Sequence, residues 1–290
     1  MRTFRIVGVP EHFNFPFRQL AKFQPLENLG IRIDWKEESR GSGQMSQDLK
    51  EGKADMAILL TESFMREFEL GSPFRILGFH VESPLNWGIH VKNSHPAETV
   101  QEITNKHFLV SRMGSGSHLM ALALADSMSW DNQNLNFEIV GNMDGAREAF
   151  ENGNEGLFLW EKFTTAPQVR ANSMKRIGEI PSPWPCFVMV VTEKALEEFQ
   201  DVILEIREEI YTISEKTKEI QGLAGILAKN YDLAVEDVEA WLPQTHWCTH
   251  PEVSREKLLA AMDKMKTYGI LQNSLPIEDF LVTKGMGLLP

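Results

Sequence analysis

Residues 110–119 read VSRMGSGSHL, gathering three serines, two glycines, an arginine and a histidine between two apolar runs. Phe108-Leu109-Val110 has the character of a short strand and Leu119–Met128 that of a helix. The polar side chains therefore fall where a strand turns into a helix. A dinucleotide fingerprint needs a third glycine there, but the Gly114-x-Gly116 spacing runs on to Leu119. A Walker-type loop needs Gly-Lys-Ser/Thr, and no lysine follows. A nucleophile elbow needs Gly-x-Ser-x-Gly; Gly114-Ser115-Gly116 is too tight, and His118 is a sequence neighbour rather than a triad partner. Non-covalent anion binding needs close backbone approach, unpaired amides at a helix start and a cation. Gly114, Ser115, Gly116, Ser117 and Arg112 supply that set. An ordinary glycine turn with a serine cap and a surface arginine uses the same residues, and chemistry alone leaves both readings open.

Other residues invite chemistry at the ends of apolar runs. Thr61 and Glu62 follow Met56–Leu60, and Glu161 follows Gly156–Trp160. The two glutamates, facing a common cleft, would bracket a cationic group or work as paired carboxylates. His12 beside Glu11 is a candidate acid–base pair, although sequence neighbours often point apart and a solvent-facing loop is the simpler account. His246-Trp247-Cys248-Thr249-His250 places three metal-ligand types in five residues, alternating as an extended segment would require. No second ligand cluster supports it in sequence, so it reads as a connecting loop between Pro243 and Pro251, and no metal or cofactor is assigned.

The elements that position these residues alternate. Phe4–Val9, Ile31–Glu37, Met56–Leu60 and Phe74–His80 read as strands, with a short helix over Ser46–Glu51. After Ser83-Pro84 come a strand at Trp87–Val91, a helix over Ala97–Asn105, strands at 108–110, 137–140 and 156–160, and a helix over Ala146–Glu151 capped by Asp144. That β-α-β-α-β order is the unit of a parallel sheet covered by helices. A proline-rich crossing at Ile180–Pro185 leads to a strand over Phe187–Thr192. Helices follow over Lys194–Lys229, broken at Gly222, and over Val235–Leu242 and Arg255–Tyr268. The expectation is two α/β domains, 1–85 with 190–290 and 86–189, joined by a two-stranded hinge with a cleft between strand ends. Trp87 and Trp184 fall at the two crossings, where hinge packing competes with lining the cleft.

Composition limits the partners. The 290 residues carry 29 basic and 41 acidic side chains, a formal net charge of −12. Such a chain repels nucleic acid and anionic membrane overall. No apolar run approaches the length of a membrane span, and the first residues lack a secretory leader's apolar core. The chain as written is expected to be cytoplasmic, and periplasmic only if a leader was removed. Two cysteines in unlike contexts, Cys186 and Cys248, read as unpaired thiols.

Taken in order, Gly52-Lys53-Ala54-Asp55-Met56-Ala57, the 111–117 turn, Gly141-Asn142-Met143-Asp144-Gly145-Ala146 and Phe158-Leu159-Trp160-Glu161 resemble the type II periplasmic-binding-protein fold. The nearest group includes nitrate-, sulfonate- and taurine-binding proteins and the thiamine-pyrimidine-precursor family. The resemblance covers nearly the whole chain and implies two Rossmann-like α/β domains closing on a small molecule. It places ligand contacts at His12, Phe13, Asn14, Thr61, Glu62, Arg112, Gly114, Ser115, Gly116, Ser117, Asn142, Trp160 and Glu161. It implies a small-molecule binder without catalytic residues, with Phe13 or Trp160 as an apolar wall and a transporter permease as partner only if the chain is exported. The alternative is an enzyme of thiamine-pyrimidine-precursor type on the same fold. Members of that kind in fungi carry a cysteine-rich iron motif that this sequence lacks, so their reaction is not carried over.

Overall fold

The computed structural model describes residues 1–282 and 288–289. It divides into two compact units, Met1–Ser83 with Trp184–Asp232 and Leu242–Pro290, and Pro84–Pro183 with Leu233–Trp241. The first unit contains strands β1 (Arg2–Gly8), β2 (Ile31–Glu37), β3 (Met56–Leu60) and β4 (Phe74–Val81). The second contains β5 (Asn86–Val91), β6 (His107–Val110), β7 (Asn136–Ile139), β8 (Leu157–Glu161) and β9 (Lys175–Pro181). The chain then returns to the first unit with β10 (Phe187–Thr192), and β11 (Val253–Ser254) and β12 (Leu288–Leu289) make a short parallel pair.

The sheet of the first unit has the order β2-β1-β3-β10-β4. β1 runs parallel to β2 and β3, and β10 runs antiparallel to both β3 and β4. Met56-Ala57-Ile58-Leu59 is fully buried, as befits a strand with neighbours on both sides and helices above it. The helices of this unit are α1 (Phe15–Phe23), α2 (Ser42–Lys50) and α3 (Thr61–Glu69). They alternate with β1, β2 and β3; α1 and α2 begin several residues beyond a strand's C-terminal end, and α3 directly after β3. The sheet of the second unit has the order β7-β6-β8-β5-β9, with β6, β7 and β8 parallel and β5 antiparallel to its two neighbours. Both sheets are therefore mixed rather than wholly parallel. In each case the antiparallel strand is the first one laid down after the chain crosses into the unit.

The second unit's helices are α4 (Gly116–Ser127), α5 (Met143–Glu151) and α6 (Ala166–Arg170). α4 is buried from Gly116 to Ala125, which its run of Leu, Met and Ala permits on every face. α5 is two-faced: Ala146 and Phe150 pack with Leu109, Phe158 and Met174. The remaining helices are α7 (Glu193–Glu198), α8 (Ile203–Lys218), α9 (Leu223–Tyr231), α10 (Val235–Trp241) and α11 (Arg255–Thr267).

Several expectations need correction. The helix expected over 97–105 is a single 3-10 turn at Val100–Glu102. Thr99, Val100, Ile103 and Thr104 are β-branched, and Val100 is pinned where a Cβ on Gly178 would come within 2.6 Å of its side chain. β9 was hidden by Gly178 and Pro181, residues a strand accepts readily only at an edge, which is where β9 lies. The long helix over 194–229 is three helices, interrupted at Phe199–Val202 and at Gly222, whose φ is 73°. The expected domain boundaries also left α10 in the first unit. It groups with the second, where Asp237 pairs with Arg170 at the end of α6. Among the described residues no helix is long and apolar enough to cross a membrane.

Candidate functional site

In the second unit, Val110 pairs with Ile139 and Leu109 with Phe158, so the C-terminal ends of β6, β7 and β8 lie side by side. The turns after β6 and β7 carry Arg112 to Ser117 and Asn142, and Glu161 is the last residue of β8. The register of one sheet edge thus brings these sequence-predicted residues together. The turn after β6 is built around Gly114, whose φ of 73° lies in the left-handed region that glycine enters without strain. The Ser115 amide then donates to the Arg112 carbonyl at 3.2 Å.

Ser115 is the N-cap of α4: its backbone is extended and its hydroxyl accepts from the His118 amide at 3.4 Å. The Leu119 amide donates to the Ser115 carbonyl at 2.9 Å. Two first-turn amides, those of Gly116 and Ser117, come before the helix's own ladder and have no acceptor within it. The Ser117 hydroxyl accepts from the Ser111 amide at 3.0 Å and lies 3.0 Å from the Ser115 hydroxyl and 3.3 Å from that of Ser111. Three hydroxyls joined by two links carry three protons, so one O–H at an end of the chain is left to donate elsewhere. Ser115 and Ser117 are buried, and their first task is to shape the turn. His118 Nδ1 accepts from the Gly114 amide at 3.0 Å, which assigns its ring proton to Nε2 and makes it a clasp for the turn.

The neighbouring turns are similarly self-organised. Asn142, not Asp144, caps α5, accepting from the Gly145 amide at 3.0 Å. Glu161 is buried, and one oxygen, Oε2, accepts from the Phe163 amide at 3.0 Å and from the Thr164 amide and hydroxyl at 2.6 and 2.7 Å. Burial pushes its pKa up to about 7 against the pull of those donors. Trp160 is partly buried, stacks on Phe158 at 5.3 Å and packs on the α5 core.

The first unit presents its own strand ends. Phe13 and Asn14 sit in a 3-10 turn over His12–Asn14 after β1. The Phe13 ring lies 5.2 Å from that of Phe187, and its carbonyl accepts from Trp247 Nε1 at 2.7 Å and meets His80 Nε2 at 2.9 Å. Asn14 Nδ2 donates to the Val9 carbonyl at 2.8 Å. His12 is buried rather than in the expected solvent-facing loop, and loss of solvation lowers its pKa to about 3, so it is held neutral. Thr61 donates to the Pro185 carbonyl at 2.6 Å and its amide to the Cys186 carbonyl at 3.0 Å, so it ties the return crossing down. Glu62 is buried and accepts from Trp184 Nε1 at 2.7 Å, with burial again raising its pKa to about 7. Trp184 therefore has a specific hydrogen-bonding task. Trp87 is a core side chain of β5 whose indole nitrogen has no hydrogen-bond partner.

Sequence reasoning passed over three serines near the starts of α2 and α3. Ser42 accepts from the Leu60 amide at 3.2 Å. The buried hydroxyls of Ser46 and Ser63, like Asn14 Oδ1, have no hydrogen-bond partner. Gly41-Ser42 was a usable cap signal; Ser46 and Ser63 had none, because helix serines are usually solvated.

Residues 87–180 match the family model described as Ca3427-like PBP. The Candida albicans CA3427 gene product defines a family with the generic periplasmic binding protein structural fold. It superposes with a TM-score of 0.87 and 23% identity over 100% of this chain and 98% of its own. The chain has the periplasmic-binding-protein fold. The expected type II two-domain α/β class is thereby established. Two further proteins share this periplasmic-binding-protein fold. The alkanesulfonate-binding protein SsuA from Xanthomonas axonopodis pv. citri, bound to MOPS, has a TM-score of 0.78 and 15% identity over 97% of this chain and 98% of its own. The aliphatic sulphonate-binding protein SsuA from Escherichia coli has a TM-score of 0.73 and 15% identity over 97% of both chains. A comparison with curated proteins finds no match.

Proposed function

We propose that the chain binds a small organic molecule through an anionic or strongly polar group, held in the second unit at the turn after β6. The carrying observation is that α4 begins with the Gly116 and Ser117 amides beyond reach of the helix's own acceptors, on the same short turn as Arg112. The helix dipole favours negative charge at that point, and a guanidinium offers a forked pair of donors to a carboxylate, sulfonate or phosphate. The serine chain has one O–H left to donate. Asn142 borders the same strand ends. That two proteins of this fold are sulfonate binders supports an anionic head group.

The test is calorimetric titration of the purified protein with alkanesulfonates, carboxylates and anionic heterocycles chosen by a thermal-shift screen. Arg112→Ala should weaken the best ligand roughly ten- to hundred-fold, the range for a hydrogen bond to a charged group. If no anion stabilises the protein, or if Arg112→Ala leaves affinity unchanged, the cradle is wrong. Mass analysis after incubation should return the ligand intact; its consumption would replace binding with catalysis.

A further inference from the structure

At the end of β4, three side chains of different type converge. Val81 forms an antiparallel bridge with Trp247. The Cys248 amide donates to the His80 carbonyl at 2.8 Å, and the Glu82 amide to the His246 carbonyl at 2.9 Å. This short ladder lays residues 246–248 against the strand, and the chain then curls so that His250 returns over Glu82. The Glu82 carboxylate, the Cys248 sulfur and a ring nitrogen of His250 all lie within 4.8 Å of one another. His250 Nε2 is 2.8 Å from Glu82 Oε1, and its Nδ1 is 3.2 Å from Glu252 Oε2.

We propose that Glu82, Cys248 and His250 form a binding site for a zinc-like divalent cation, with Glu252 orienting the histidine. Ligands about 2.0–2.3 Å from a tetrahedral ion lie roughly 3.3–3.8 Å from one another, so small side-chain rotations close this set around a metal. A thiolate, an imidazole and a carboxylate together suit zinc rather than magnesium or calcium, which take oxygen donors. The arrangement around His250 is a second, independent sign. With Nε2 turned to a cation, Nδ1–H donates to Glu252, the carboxylate–histidine–metal relay that fixes ring orientation in zinc sites. His250 is exposed, so water can reach the fourth position. Coordination replaces the S–H bond of Cys248 by a sulfur–metal bond, and the proton leaves to solvent. Lys257, 3.4 Å from the other Glu82 oxygen, keeps its place beside a site whose ligands bring two negative charges.

Sequence spacing had offered His246, Cys248 and His250 as a set. The structure drops His246, which is exposed and outside the cluster, and supplies Glu82 from a distant part of the chain. The site is independent of the anion cradle. Its role would be to clamp residues 248–250 to the end of β4.

Cobalt is the reporting probe. Chelator-treated full-length protein titrated with Co2+ should develop a near-ultraviolet thiolate-to-cobalt absorption that Zn2+ displaces, and Zn2+ should raise the Tm. Cys248→Ser and His250→Ala should abolish the band, while Cys186→Ser and His246→Ala keep it. Glu252→Gln should keep it but weaken binding about ten- to hundred-fold. Because Cys248 is buried, His250→Ala, a change at an exposed side chain, asks the same question without disturbing the core. No thiolate band in the native protein, or a band that survives either His250→Ala or Cys248→Ser, overturns the proposal.

Discussion

Glu62 and Glu161 are each buried at a strand end in a different unit, and each is satisfied by its own neighbourhood: Glu62 by Trp184, Glu161 by the turn that follows it. Both have a folded-state pKa near 7 against an ordinary value of 4.5. A raised carboxyl pKa means that the folded state holds the proton more tightly than the unfolded chain. Their stabilising contribution is complete below pH 4.5 and is lost as the pH rises towards 7. Glu62→Gln keeps an acceptor for Trp184 and removes the charge. It should raise the Tm at pH 8, by an amount corresponding to up to about 3 kcal/mol, and change little at pH 4.5. Thermal melts of the variant at the two pH values check this; equal shifts at both would mean that packing, not ionisation, governs the site. Sequence marked both glutamates correctly as strand-end residues. What it could not supply was their partners, because Trp184 is 122 positions from Glu62 and the Thr164 contacts depend on how the turn closes.

The element that matters most is the turn from β6 into α4. Periodicity located it, since an apolar strand and an apolar helix bracket eight residues, all but Met113 small or polar. The division of labour within it was less legible. Ser115 and Ser117 were read as donors to a ligand, yet their oxygens are engaged in capping and in holding Ser111, and His118 closes the turn on Gly114. Hydroxyls that cap and hydroxyls that bind look the same in a sequence. Only the geometry of the first helical turn separates them. Ser115→Ala removes the cap and should cost about 1 kcal/mol of stability. It should also weaken anion binding less than Arg112→Ala does, because the Gly116 and Ser117 amides remain. Denaturant unfolding and titration of the two variants side by side check that ranking. The helix misread over 97–105 overlooked four β-branched residues and the packing of Val100 against Gly178, whereas in the unseen β9 local propensity was overruled by an edge position that tolerates Pro181.

Across the whole molecule, buried titratable groups oppose one another. His12 and His80 have pKa values lowered to about 3 and His90 to about 4, all chiefly by burial. A lowered histidine pKa contributes stability that is complete above pH 6.5 and lost as the pH falls. Three histidines pull the optimum up and two glutamates pull it down, and the proton balance of these five groups crosses zero at about pH 6.5. Thermal stability should therefore peak near there and fall on both sides, more steeply towards acid. A Tm that climbed steadily to pH 8 would show that the glutamates are ionised without penalty. The order of elements along the chain was readable throughout most of its length, and with it the two-unit architecture. Strand order was not, since nothing in Phe187–Thr192 says that it slots between two strands laid down more than a hundred residues earlier.

That late insertion bears on synthesis. β10 is an interior strand of the first unit's sheet, pairing with β3 on one side and with the edge strand β4 on the other. While the ribosome is still making residues 84–183, the apolar strands Met56–Leu60 and Phe74–Val81 have been made without the partner that separates them. A nascent chain in that condition offers two unpaired edges for mispairing with each other or with another polypeptide. Successful folding in the cell thus depends on how quickly translation proceeds from Pro84 to Thr192, or on a chaperone that shields those edges until it does.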